Sequence, residues 1–261
     1  MSALFFDIDG TILSEITHEI PESALVALRK AQENGHKTFI NTGRTICSVP
    51  PMIKRIPFDG FLCGCGTHLV YEERVVFHHS IPYERGRRII KSMKDCKVEG
   101  FLEGTEDIYY SNRISRLESV ESSRRYMAGL GLGREQSVED TGYDFDKILI
   151  YIDKIADEER FFKETEDVFK HIDRLGGVYE CVQKEYSKAT AIAYIKKELA
   201  LQDDAIYAFG DSSNNFHMIK AAGHGVIMGH HDPVLEPYAE YITDTVENDG
   251  LYKAMEHYGL I

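Results

Sequence analysis

The chain has 261 residues, 43 % of them hydrophobic, and a formal charge of −13 at pH 7. That length can bury a large core in one or two domains, while the acidic balance argues against nonspecific binding to nucleic acid or to an anionic membrane, both of which reward clustered Lys and Arg. No run approaches the roughly 18 apolar residues that span a bilayer, and the opening MSALFF has no basic, signal-type segment, so the cytoplasm is expected. Five cysteines (Cys47, Cys63, Cys65, Cys96 and Cys181) form no CxxC pair, which points to reduced, mostly buried thiols.

In chain order, ALFFDID reads as a first buried strand that ends in Asp7 and Asp9. PESALVALRKAQENG has apolar residues at helical spacing between Pro21 and Gly35 and reads as a capped helix. HKTFINTGR is a second strand running into a polar turn, FDGFLCGCG a third, and THLVYEERVVFHHSI alternates like a hairpin turning near Glu72 and Glu73. From Pro82 the pattern changes to about 100 residues of α+β character. These are helices in YERGRRIIKSMKD, SRLESVESSRRYMAGLG and DEERFFKETEDVFKHI, with strands in GFLEGTEDIYYS, FDKILIYID and GGVYECVQ. The βα rhythm resumes with SKATAIAYIKKELAL, AIYAFGD, a helix from about Ser213 to Ala222, and GHGVIMG. The expected architecture is an α/β protein with a Rossmann-like parallel sheet, interrupted by an inserted α+β domain. Residues 1–82 and 183–261 form the core and residues 83–182 the insertion.

Four polar stations fall at strand ends or helix starts: Asp7 and Asp9; Asn41, Thr42, Gly43 and Arg44; Lys188; and Asp211 through Asn214 and Asn215. Ligands of parallel sheets bind beyond the carboxyl ends of the strands, so stations some 200 residues apart can share one crevice. Lysine, hydroxyl and backbone N–H groups suit phosphate oxygens, and carboxylates suit Mg2+, a hard cation often held through one or two of them. Two aspartates at one strand end make sense around such a cation, which offsets their repulsion.

DIDGT, TGR, the later lysine and GDSSNN, in this order, resemble the motifs of the haloacid dehalogenase superfamily, and the insertion resembles the large α/β (type C2B) cap of the Cof-type phosphatases. The resemblance implies Asp7 as the nucleophile, Asp9 as alternating general acid and base, and Mg2+ held by Asp7, the Asp9 carbonyl and Asp211, with position 215 beside it. It further implies Thr42, Gly43, Arg44, Lys188 and Asn214 as substrate-binding groups. The substrate would be a small phosphorylated metabolite, with sugar phosphates among the candidates. A phosphosugar mutase of the same superfamily is the alternative activity, and a phosphate-ligand-binding protein with weak turnover the alternative class. Two departures stand out: Asn215 occupies a position where the family usually has Asp, which should loosen Mg2+, and Cys65 occupies one where Asn is common.

YDFDK, residues 143–147, imitates the first motif but precedes its strand and reads as a turn; the pairs His78–His79 and His230–His231 read as surface or interface residues. Tyr109, Tyr110 and Arg113 are candidates for contact with substrate from the insertion.

Overall fold

The computed structural model describes all residues, 1–261, and divides into two compact units. The first comprises Met1–Gly43, Pro50–Phe77 and Tyr186–Ile261; the second comprises Arg44–Val49 and His78–Glu185.

The first half of the first unit holds β1 (Ala3–Phe6), α1 (Glu22–Glu33), β2 (Lys37–Asn41), the short α2 (Pro51–Lys54), β3 (Gly60–Cys63), β4 (His68–Tyr71) and β5 (Arg74–His78). The second unit follows with α3 (Tyr83–Asp95), β6 (Glu99–Glu103), β7 (Ile108–Tyr110), α4 (Glu118–Gly129), β8 (Lys147–Tyr151), α5 (Glu158–Thr165), β9 (Phe169–Asp173) and β10 (Val178–Gln183). The first unit is completed by α6 (Lys188–Glu198), β11 (Ile206–Gly210), α7 (Phe216–Ala221), β12 (His224–Ile227), β13 (Tyr241–Ile242) and α8 (Gly250–His257).

An eight-stranded sheet in the order β13-β12-β11-β1-β2-β3-β4-β5 forms the first unit, parallel from β13 to β3 and antiparallel at β4. All four β1 residues are fully buried, as a central parallel strand covered on both faces requires. On one face Phe5 stacks on Phe39 at 5.1 Å and packs under α6 and α7 through Ile192, Ile195, Met218 and Ile219. Phe6 points the other way and stacks on Phe209 at 4.8 Å. β1 lies between β2 and β11, whose chains leave in opposite directions along the sheet, so the carboxyl ends of these three strands are the topological switch point. The hairpin between β4 and β5 turns through Glu72 and Glu73, both at positive φ (47° and 62°).

The second unit is built on an antiparallel sheet, β7-β6-β8-β10-β9. α3 and α5 cover one face through Ile89, Met93 and Phe161 packed on Leu102, Ile148 and Cys181. Here the structure corrects one expected element. The helix expected through DEERFFKETEDVFKHI stops at Thr165, whose Oγ1 donates back to the Phe161 carbonyl at 2.8 Å, and Phe169–Asp173 pairs with β10 instead. The apolar spacing of VFKHI fits helix and strand equally, and the free edge of β10 decides between them.

Candidate active site

β1 continues its ladder one residue past its end, through Asp7 N to the Phe209 carbonyl at 3.0 Å, and then turns sharply. The Ile8 carbonyl accepts from the amides of Thr11, Ile12 and Leu13, and Gly10 takes φ +71° at the bend. A Cβ on Gly10 would stand 2.3 Å from Asp211 Oδ2, so glycine serves both the turn and the close approach of that carboxylate.

Asp7 is 4 % exposed. Its Oδ1 accepts from Ile8 N at 2.8 Å, and its Oδ2 accepts from Lys188 Nζ and from Asn215 Nδ2, each at 2.6 Å. Three donors on one buried carboxylate fix its orientation and balance its charge. Lys188 is the first residue of α6. Ser187 and Thr190 cap that helix reciprocally, and the Asn41 side chain donates to the Lys188 carbonyl at 2.9 Å, so the backbone carrying the ammonium is clamped from both sides. The Nζ also reaches Asn214 Oδ1 at 3.4 Å.

Asn215 has a defined orientation. Its Oδ1 accepts from the amides of Asp211 (2.8 Å) and Ser212 (3.0 Å), which leaves Nδ2 to face Asp7. Gly210 makes room for this, since a Cβ there would meet the Asn215 amide at 2.6 Å. Its oxygen accepts from two backbone donors and its nitrogen touches Asp7, so Asn215 lies directly against the carboxylate expected to share the cation.

Asp211 lies 3.3 Å from Thr11 Oγ1, and its carboxyl is pushed up to about 7 by burial and then by the negative charge of Asp7, against the opposing pull of Lys188. Burial first and the neighbouring carboxylate second thus disfavour its charged form, and a cation bound there would favour it. No group of three or more His, Cys, Asp or Glu side chains converges to hold a metal ion. A cation here would therefore rest on two carboxylates, backbone oxygen and water, which is the way Mg2+ is commonly held.

Thr42 follows β2 and is 2 % exposed; its N–H donates to the Leu62 carbonyl and its carbonyl accepts from Cys65 N. Cys65 sits at φ 57°, a region that asparagine tolerates better than cysteine. Asp7, Lys188, Asn214, Asn215 and Asp211 are thus linked directly or through one another, with Thr42 at the neighbouring strand end and Asp9 in the turn. Arg44 is grouped with the second unit, where its guanidinium donates to the Ser48 carbonyl at 3.3 Å and its charge acts on Glu103. Asn41, named among the polar stations without a role, acts as a positioning residue for Lys188. Its signal is its place at the head of NTGR.

The insertion's substrate-contact candidates are committed elsewhere. Tyr109 and Tyr110 are each 2 % exposed, Tyr109 stacking on Tyr143 at 3.9 Å and Tyr110 bonding Ser123, while Arg113 pairs with Glu99. His78 is exposed and bonds the fully buried Asp146 of YDFDK at 3.1 Å, and the half-buried His79 bonds Gln183 at 2.8 Å, so these surface-lying residues also brace the second unit.

A model of the haloacid dehalogenase-like hydrolase family matches residues 4–255. The chain belongs to that family. It is 28 % identical to "Putative phosphatase YkrA" of Bacillus subtilis (strain 168), over 99 % of this chain and 98 % of that protein. Among solved structures, the phosphatase BT1666 from Bacteroides thetaiotaomicron superposes with a TM-score of 0.84 at 28 % identity, covering 100 % of this chain and 96 % of that one. The subclass IIB sugar phosphatase BT4131 gives a TM-score of 0.83 at 25 % identity, with 100 % of both chains covered. These full-length relatives of this hydrolase are named phosphatases, and the α/β architecture with its parallel sheet is shared with them. No helix is long and apolar enough to cross a membrane.

Proposed function

We propose that this hydrolase is a Mg2+-dependent phosphomonoesterase of small phosphorylated metabolites, sugar phosphates first, that works through an aspartyl-phosphate on Asp7. The observation that carries the proposal is the Asp7 carboxylate, oriented by Ile8 N, Lys188 and Asn215 at the end of the central strand beside Asp211. An Asp7 oxygen attacks phosphorus and the bond to the ester oxygen breaks, while the Asp9 carboxyl gives that oxygen its proton. Asp9, now a carboxylate, takes a proton from water, whose oxygen attacks the aspartyl-phosphate and regenerates Asp7. Lys188 and Thr42 stabilise the phosphoryl oxygens, where charge spreads in the transition state. When bound by Asp7, Asp211 and the Asp9 carbonyl, Mg2+ would neutralise the carboxylates and the incoming phosphate. The insertion, residues 83–182, acts as the cap that selects the leaving group. Five free cysteines, four of them buried, support the reducing cytoplasm as its compartment.

The test is phosphate release by the purified chain from a panel of phosphate esters, with and without Mg2+, together with borohydride reduction of the stalled enzyme. Mg2+-dependent release and conversion of residue 7 to homoserine are expected. Release indifferent to Mg2+, or from no ester at all, sinks the proposal, and exchange between phosphosugar isomers without release points to the mutase.

A further inference from the structure

The second unit contains a cavity of about 640 Å3, within the size range of small-molecule sites, and every residue lining it falls between Arg87 and Glu139. Its walls carry six cations, Arg87, Lys91, Lys94, Lys97, Arg113 and Arg116, against two carboxylates, Glu99 and Glu139. Ile90, Met93, Val98 and Val138 line its apolar part. Such a concentration of positive charge is out of keeping with a chain of net charge −13.

Half of these cations are already paired. Arg113 and Arg116 share the buried Glu99, Arg116 also pairs with Asp153, and Lys91 pairs with Asp95. The other three have no carboxylate. Arg87 donates only to the neutral carbonyls of Val138 and Asp140, and Lys94 and Lys97 make no ion pair. On the other side of the balance, Glu139 is satisfied by Ser111 Oγ at 2.6 Å and Asn112 N at 2.9 Å rather than by a cation. The cavity therefore holds an excess of two positive charges. Arg87, Lys91 and Lys94 recur at i, i+4 and i+7 of α3 and so share one face of that helix. The carbonyl end of the helix accounts for a lysine at 94 but not for an arginine one turn from its start.

We propose that this cavity is a second ligand site, for a small organic phosphate with an apolar body. A dianionic phosphate matches the excess of two charges, whereas a monocarboxylate would leave one uncompensated. The apolar wall takes the organic part. The inference rests on the cavity and its charges alone, so it stands or falls separately from the hydrolytic reaction.

The test uses the full chain with 13C-methyl methionine, the Met93 signal being assigned by Met93→Leu, and phenylphosphonate, whose C–P bond is not an ester, as the probe. The Met93 methyl should shift saturably. In the double variant Lys94→Glu/Lys97→Glu, whose side chains are exposed, binding should weaken at least about tenfold while turnover of p-nitrophenyl phosphate stays at the wild-type level. Benzoate should bind at least about tenfold more weakly than phenylphosphonate. An unmoved Met93 signal, binding indifferent to the charge reversal, or benzoate binding as well as the phosphonate overturns the proposal. A loss of turnover in the folded double variant would also overturn it, by tying the cavity to the reaction.

Discussion

Both units bury charged side chains, and they settle them in opposite ways. In the second unit Lys147, 3 % exposed, pairs with Glu180 and stands 3.4 Å from Glu103, and Arg174 closes the cluster on Glu180. Burial pushes the Glu180 carboxyl up, but the charges of Lys147 and Arg174 outweigh that and leave it lowered to about 2. In the first unit Lys188 faces two buried carboxylates and its contact goes to Asp7, so Asp211 is left raised to about 7. Two cations meet two carboxylates in the second unit, although burial still holds the Glu103 carboxyl raised; in the first unit one cation meets two carboxylates. The count of cations, rather than burial of charge as such, separates the candidate site from the structural brace.

The largest effect that tests this contrast is at Asp7, the proposed nucleophile. Asp7→Asn keeps the shape but removes the attacking oxygen, and phosphate release should fall by about 1,000-fold or more while the far-UV spectrum is unchanged. Lys147→Met should do the reverse. It strands Glu103 and leaves Glu180 with Arg174 alone, so chemical denaturation should show a loss of about 3–5 kcal/mol. Protein that remains folded should keep turnover within a few-fold.

Third in size is the pH dependence. Because Asp211 has a raised folded-state value, the metal-free protein holds its proton more tightly than the unfolded chain does, and stability should fall as pH rises from about 4 to about 7, by about 2–4 kcal/mol. Glu180 works with the opposite sign. Its contribution is present above about 4.3 and is lost as pH falls toward 2. Thermal melts in chelator should show the first slope, Asp211→Asn should flatten it, and saturating Mg2+ should restore the stability lost near neutrality. A slope unchanged by Asp211→Asn would refute the assignment.

Asn215→Asp sharpens the comparison further. The new carboxylate keeps both backbone donors but replaces the amide N–H facing Asp7 with a second negative oxygen, which deepens the shortage of cations. Mg2+ should bind more tightly by about 1–3 kcal/mol, seen as a lower Mg2+ requirement in activity titrations, with the gain shrinking at saturation. Superimposable titration curves would separate Asn215 from the metal's field.

The smallest effect lies outside both clusters. Glu73→Gly in the β4–β5 hairpin relieves a positive-φ residue and should raise stability by up to about 1 kcal/mol in denaturant titrations.

Much of the site was legible because its residues combine unusual type with a strand end. DIDGT after ALFF and GDSSNN after AIYAF needed only period and topology to converge, and Lys188 needed the capped start of α6. What could not be read was which partner each group would choose. TGR is continuous in sequence, yet Thr42 and Gly43 pack with one unit and Arg44 with the other. Asn215 was expected beside the cation, but the sequence did not say that two backbone amides would hold its oxygen and aim its nitrogen at Asp7. Periodicity also failed where it was ambiguous, at Phe169–Asp173, because a short apolar run takes the form its neighbour's open edge offers.

The strand order carries a consequence for biosynthesis. Ala3 pairs with Lys37 on one side and with Ile206 on the other, whereas every strand of the second unit finds its partners between Glu99 and Gln183. As the chain leaves the ribosome from its N-terminus, the inserted unit has all its pairing segments in hand while one flank of β1 still waits for β11. The nascent chain thus carries Asp7 next to an open, wholly apolar strand edge until residue 211 has emerged. The candidate site is assembled only after the inserted unit has been made, and β1 is the segment for which a chaperone would compete in the interval.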